Sequence, residues 1–313
     1  RRRRALPGAP PRPLRRRIDA HRSPGRVGGG GMSRPELQQA PELFYDDREA
    51  SKYHASSRMV AIQSEIAGRA LELLALPADS PALILDIGCG SGLSGGILER
   101  AGHAWVGVDV SPAMLRVANE HVMHRRNTAP LDAAEGYARA EVEGESDDDG
   151  ATAAADDASS SSGVDHSHRR GDLMLGDMGQ GLPFRPGTFD GAVSVSAVQW
   201  LCYSESSRED PRRRLDAFFA GLYMVLKRSA RAVLQFYPQS TEQALLISRS
   251  ASRVGFTGGL VVDFPNSTKA KKHYLCLSFE SAYRVPRPLG ANEGRPGVRN
   301  IAAAAPGAAG GGP

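Results

Sequence analysis

At 313 residues, with 41% hydrophobic and 24% charged side chains, the chain holds one α/β domain of ordinary size and roughly 100 residues more. Three cysteines without paired spacing, Cys89, Cys202 and Cys276, exclude a disulfide framework and a cysteine-based zinc site and point to a reducing compartment. The basic balance is local: residues 1–31 hold ten arginines against one acid, Asp19, and removing those nine net charges takes the formal charge from +4 to −5.

Taken in chain order, residues 1–31 are Arg-, Pro- and Gly-rich and are expected to be disordered, since they cannot bury enough apolar surface to offset chain entropy. They open on Arg1, and Met32 begins the first domain-like segment, so they read as upstream sequence rather than a transit arm, whose amphipathic helix Pro and Gly would break. Residues 45–59 read as a polar helix and turn. A helix over 62–76 places Ile62, Ile66, Ala70, Leu73 and Leu74 on one face and stops before Pro77. A buried strand over 82–87 is followed by a short helix over 94–100 and a second strand over 104–109. Ser111-Pro112 then opens a helix with a capping hydroxyl and a proline at the first helical position. From about 122 to 170 the chain becomes an acidic, Ser-rich insert, expected to be disordered. Strands follow at 172–175 and 191–195, a helix at 211–226, a strand at 232–237, a helix at 243–254, and strands at 260–262 and 274–279. The Gly/Ala/Pro-rich tail over 280–313 is expected to be disordered. No apolar run approaches bilayer length, so no membrane role is expected. Strands alternating with helices imply a doubly wound, mostly parallel sheet whose ligands bind beyond the carboxyl ends of the strands.

The chemistry-bearing residues fall at those ends. In the run LILDIGCGSG, Asp86 precedes Gly88, Gly90 and Gly92, and the next strand closes on Asp109. Glycines after a strand let backbone approach a ligand, and an acid closing the next strand suits a ribose diol. The register Gly90-x-Gly92-x-x-Gly95 also matches a dinucleotide fingerprint, but that motif wants its first glycine directly after the strand. An acid beside the glycines repels a pyrophosphate and accepts from an ammonium such as methionine's. The pattern therefore favours S-adenosylmethionine. Asp109 is the candidate ribose acceptor, and otherwise a charge at a helix N-terminus. Asp177 and Met178 are candidates for the adenine edge and face, and otherwise a turn acid beside a core methionine. Gln199 and Trp200 follow a strand interrupted by serines, where Trp200 would stack an acceptor base and Gln199 bond its edge, or the tryptophan simply caps the core. The eight histidines offer no nucleophile–base pair. An aromatic ring nitrogen attacks a sulfonium methyl with a free lone pair, so alignment matters more than proton transfer. Arg212–Arg214 and Lys269, Lys271 and Lys272 form basic clusters. The lysines precede a strand near the ligand rim, where phosphate contact is the alternative to a solvated surface.

Residues 32–279 resemble the eukaryotic small-subunit rRNA (guanine-N7) methyltransferase family in the runs PELFYDDREASKYHASSRM, LDIGCGSGLSG, GHAWVGVDVSPAML, GDMGQGLPFRPGTFDGAVSVSAVQWL, AVLQFYPQS and GFTGGLVVDFPNSTKAKKHYLCL. The resemblance implies a class I (Rossmann-like) methyltransferase with a seven-stranded sheet and helices on both faces. It implies methyl transfer from S-adenosyl-L-methionine to a guanine N7 in small-subunit rRNA, coupled to rRNA processing and 40S ribosomal subunit maturation. It also implies a nuclear, nucleolar and cytoplasmic setting. The implied partners are the pre-40S particle and a small zinc-binding activator subunit that covers a sheet edge near the third strand. No metal site is expected in this chain. Carried over by motif, the cofactor role falls on Asp86, Gly88, Gly90, Asp109, Asp177 and Met178, and acceptor positioning falls on Gln199 and Trp200. Tyr45, Tyr53 and Arg58 belong to the segment that closes over the cofactor. A small-molecule methyltransferase and a non-catalytic assembly factor are the alternatives on the same fold.

Overall fold

The computed structural model describes residues 34–78, 80–128, 170–203, 210–290 and 298–301. The first strand is preceded by α1 (Pro41–Phe44), α2 (Asp47–Ala55) and α3 (Ser57–Leu74). Then come β1 (Leu83–Ile87), α4 (Leu93–Arg100), β2 (Ala104–Asp109), α5 (Pro112–Thr128), β3 (Gly171–Leu175) and β4 (Phe189–Val195). The remainder runs through α6 (Pro211–Val225), β5 (Leu226–Phe236), α7 (Thr241–Arg253), β6 (Thr257–Asp263), β7 (Lys272–Ser278) and β8 (Val298–Ile301).

Capping residues set several helix starts. Asp46 accepts from the Arg48 and Glu49 amides, Ser56 from Met59, Asp210 from Arg212 and Ser240 from Gln243. The segment expected as one polar helix and turn over 45–59 is thus divided at Ser56, whose hydroxyl starts α3. The strands form one sheet in the order β3-β2-β1-β4-β5-β7-β6-β8, parallel except around β7 and β6. Side chains alternate across it. Ile84, Val193, Val233 and Tyr274 pack towards α3 and α4, whereas Leu85, Ala192, Leu234 and Leu275 pack towards α6 and α7. The expected α/β architecture with helices on both faces is present.

Two boundaries differ from expectation. Helix α5 continues to Thr128, beyond the start of the insert placed at about 122. The tail is not loose from residue 280. Tyr283 and Val285 pack against the α3-side core, the Leu289 amide donates to Asp263 Oδ1 at 2.8 Å, and β8 pairs antiparallel with β6. An eighth strand thereby joins the expected seven, covering a β6 edge whose backbone groups would otherwise lack partners. The leader expected over 1–31 and the central part of the insert lie outside the described residues.

Candidate active site

The strand order reverses between β1 and β4, and in such sheets the crevice beyond the carboxyl ends at that point receives the ligand. A cleft open to solvent at its mouth lies there. Its floor is the β1–α4 loop, and its walls are the ends of β2, β3 and β4, with Tyr45 and Tyr53 above.

The loop is built by close backbone contacts. Gly88 has φ +69, and a Cβ on it would lie 2.2 Å from the Ala197 Cβ, so the loop after β1 presses directly on the turn after β4. At Gly90 a Cβ would meet nothing within 4 Å, which leaves its cleft side open for a ligand. Asp109 ties the floor together: Oδ2 accepts from the Gly90 amide at 2.9 Å and Oδ1 from the Ser111 amide at 2.8 Å. Burial raises its pKa while these amides pull it down. A carboxylate offers about four lone-pair sites, so acceptor capacity remains where Asp109 lines the cleft.

Asp86 stands elsewhere than expected. It is fully buried and does not line the cleft; Oδ2 takes the Ser94 hydroxyl at 2.5 Å and Oδ1 has no partner. Burial lifts its carboxyl to about 7 against the pull of Ser94, and neighbouring Asp109 adds to the rise. Alternation along β1 turns this side chain beneath the loop, so direct contact with a methionine ammonium is not what the geometry offers.

Asp177 and Met178 both line the cleft. The carboxylate accepts from the Gly179 amide at 2.8 Å, from Arg214 Nη2 at 3.0 Å and from Gln180 Nε2 at 3.3 Å. It is therefore a turn cap and half of an ion pair as well as a cleft residue. Trp200 also joins both readings: it is 8% exposed, lines the cleft, and has its ring centroid 6.0 Å from Tyr45. Tyr45 stands 6.0 Å from Tyr53, and burial pushes the Tyr45 phenol to about 12 and raises that of Tyr53. Gln199, by contrast, turns away from the cleft, because its Nε2 donates to the Ser196 carbonyl at 2.8 Å inside the turn. Arg58 is exposed in the first turn of α3 and does not line the cleft.

Several lining residues escaped the sequence reading. Ser91 lies within the glycine loop and Ser94 in the first turn of α4 just after it, whereas Gln63 and Arg214 come from helices remote in sequence. Ser196 directly follows β4 with φ +57, unusual for a residue with a Cβ, and its amide and hydroxyl both donate to Gln235 Oε1 at 2.9 Å. Gly95 serves packing, since a Cβ there would lie 2.2 Å from the Trp105 ring.

A methyltransferase-domain family model matches residues 84–147. Over 256 residues, 82% of this chain and 75% of the relative, the sequence is 48% identical to an 18S rRNA (guanine-N(7))-methyltransferase of Mus musculus. Over 248 residues, 79% and 73% of the two chains, it is 46% identical to the 18S rRNA (guanine(1575)-N(7))-methyltransferase of Saccharomyces cerevisiae. The chain belongs to the 18S rRNA (guanine-N(7))-methyltransferase family. A TehB-like S-adenosylmethionine-dependent methyltransferase from Corynebacterium glutamicum is similar in structure, with a TM-score of 0.46 at 15% identity over 75% of this chain and 100% of that one.

The cleft of this methyltransferase fits S-adenosylmethionine on its own geometry. Open space above Gly90 admits the donor, Asp109 has spare acceptor capacity for a diol, and Met178 offers an apolar surface for a base. When bound, the cofactor supplies a sulfonium-activated methyl group.

Proposed function

We propose that this protein transfers the methyl group of S-adenosylmethionine to N7 of a guanine in 18S rRNA during 40S subunit biogenesis. The observation that carries the acceptor is the 46–48% identity, over 79–82% of the chain, to enzymes named for that reaction. The site chemistry agrees with it. A guanine N7 carries an in-plane lone pair and no proton, so the residues need only bind, orient and exclude water. Among the described lining residues there is no histidine or lysine, the Asp109 and Asp177 carboxylates are already engaged by backbone amides and Arg214, and the tyrosines stay protonated at neutral pH.

In this reading Asp109 takes the ribose hydroxyls, and Gly88 and Gly90 allow the close backbone approach. Met178 packs on the adenine while Asp177 shapes that edge. Trp200 stacks the acceptor guanine, with Tyr45 and Tyr53 closing over the cofactor. Asp86, Gln199 and Arg58 act at one remove: Asp86 through Ser94, Gln199 by bracing Ser196, and Arg58 from the exposed first turn of α3.

A small zinc-binding activator subunit as partner is supported by the outer position of β3, whose Leu175 is 60% exposed on a sheet edge that has no strand beyond it among the described residues. An rRNA substrate supports action in the nucleus and nucleolus, and also in the cytoplasm. The test is to map N7-methylguanine in 18S rRNA with and without this gene. Loss of one modified guanine is expected on deletion, and full retention would refute the function.

A further inference from the structure

The proposed acceptor sets a requirement that the cleft alone does not meet. N7 lies on the major-groove edge of guanine, and the major groove of an RNA helix is too deep and narrow for protein side chains to read. The target guanine must therefore be unpaired, and its neighbours need stacking surface and cations beside the cleft mouth.

The turn between β6 and β7 supplies both. Strand β7 runs antiparallel to β5, so Lys272 at its start lies at the carboxyl end of β5, which is the cleft end of the sheet. Lys272 Nζ stands 5.8 Å from the Tyr237 ring centroid, and Gln235, two residues back along β5, holds Ser196 in the cleft wall. The β7 end of the turn thus lies two strand spacings, about 10 Å, from that wall, and its β6 end, where Phe264 sits, three spacings, about 14 Å. Residues 264–272 contain three lysines and no acid. Lys269 and Lys271 are exposed, and neither forms an ion pair among the described residues. Phe264 opens the turn with φ +47, uncommon for a bulky residue, and keeps 38% of its surface exposed while its amide donates to the Leu289 carbonyl.

We propose that this turn is a lip for single-stranded RNA flanking the target guanine, with Lys269 and Lys271 on phosphates and Phe264 stacking a neighbouring base. The proposal rests on the RNA-acceptor reading above. It is tested with the full chain by fluorescence anisotropy of a short labelled single-stranded RNA across a salt series, with calorimetric binding of S-adenosylhomocysteine measured alongside. Lys269→Gln/Lys271→Gln should lower the slope of log affinity against log salt by about 1.4, since each phosphate contact to a single strand contributes about 0.7. The charge-keeping Lys269→Arg/Lys271→Arg pair should hold the wild-type slope. Phe264→Ala should weaken binding about tenfold at fixed salt. S-adenosylhomocysteine affinity should be unchanged throughout. Wild-type RNA binding with an unaltered slope in the glutamine pair overturns the lip and leaves the acceptor reading intact. Equal loss in the arginine pair also overturns it, and no RNA binding by the wild type refutes both.

Discussion

Substituting Gly88 by alanine tests the contact that joins the cofactor loop to the acceptor turn. Two separate penalties are expected. The left-handed φ of +69 disfavours any Cβ by about 1–2 kcal/mol. The new Cβ would also sit 2.2 Å from the Ala197 Cβ, an overpacking that costs about 1–3 kcal/mol or forces the turn to move. Only the second penalty depends on Ala197: with that methyl removed, the nearest atom is the Ala197 Cα at 3.7 Å, an ordinary contact. Gly88→Ala should therefore destabilise the wild-type domain by about 2–5 kcal/mol, but an Ala197→Gly background by only about 1–2 kcal/mol. The difference is the coupling energy of the pair, within the range seen for residues in contact. Chemical denaturation of the four proteins of the cycle measures it, and methyl-transfer rates should recover in the double variant relative to Gly88→Ala. Equal penalties in both backgrounds would refute the claim that the two loops press on each other.

Asp109→Ala should weaken S-adenosylhomocysteine roughly 100-fold in calorimetry, because two charge-assisted hydrogen bonds at about 1.5 kcal/mol each are removed; unchanged affinity would end the ribose role. Removing the Asp86 carboxylate should flatten part of the pH dependence of stability. Its folded pKa of about 7 lies above the unfolded value, so the native state holds the extra proton and wild-type stability falls as pH rises from about 4 to about 7, by up to about 4 kcal/mol. Asp86→Asn should lack that fall, and urea titrations across the window that run parallel for both proteins would contradict the buried, proton-retaining carboxyl. Arg69 Nε meets Asp263 Oδ2 at 2.9 Å with only 9% and 2% of the two side chains exposed. Arg69→Met should cost about 3–5 kcal/mol in denaturation by stranding the buried carboxylate, and a loss below about 1 kcal/mol would show that water reaches it.

The order of elements was legible because it is written in neighbours. The Ser111-Pro112 cap does start α5, with the Ser111 hydroxyl accepting from Met114, and β2 ends at Asp109 where the alternation stops. The eighth strand was hidden by the surrounding Gly, Ala and Pro, since four residues of pairing to β6 leave no periodicity of their own. An acid beside glycines points to a ligand contact at Asp86, yet the carboxyl is taken by Ser94 in the next helix. Serines interrupt the otherwise apolar run of β4, and the sequence alone does not say what they meet. Ser194 donates to the Ile87 carbonyl at 2.8 Å and Ser196 to Gln235, so each polar group is answered by an adjacent strand.

By itself the sequence determined the doubly wound topology, the glycine loop and the acid closing the second strand, since periodicity, turn chemistry and capping act over a few residues. The tertiary structure decided which lone pairs face the cleft. Asp177 is shared with Arg214, 37 positions away, and Ser196 is held by Gln235, 39 positions away. Such partners meet only when α6 and β5 pack beside the ends of β3 and β4, so no local pattern announces them. The glycine loop says where a methyl donor lies; the packing of distant side chains around it says which groups remain free to hold one.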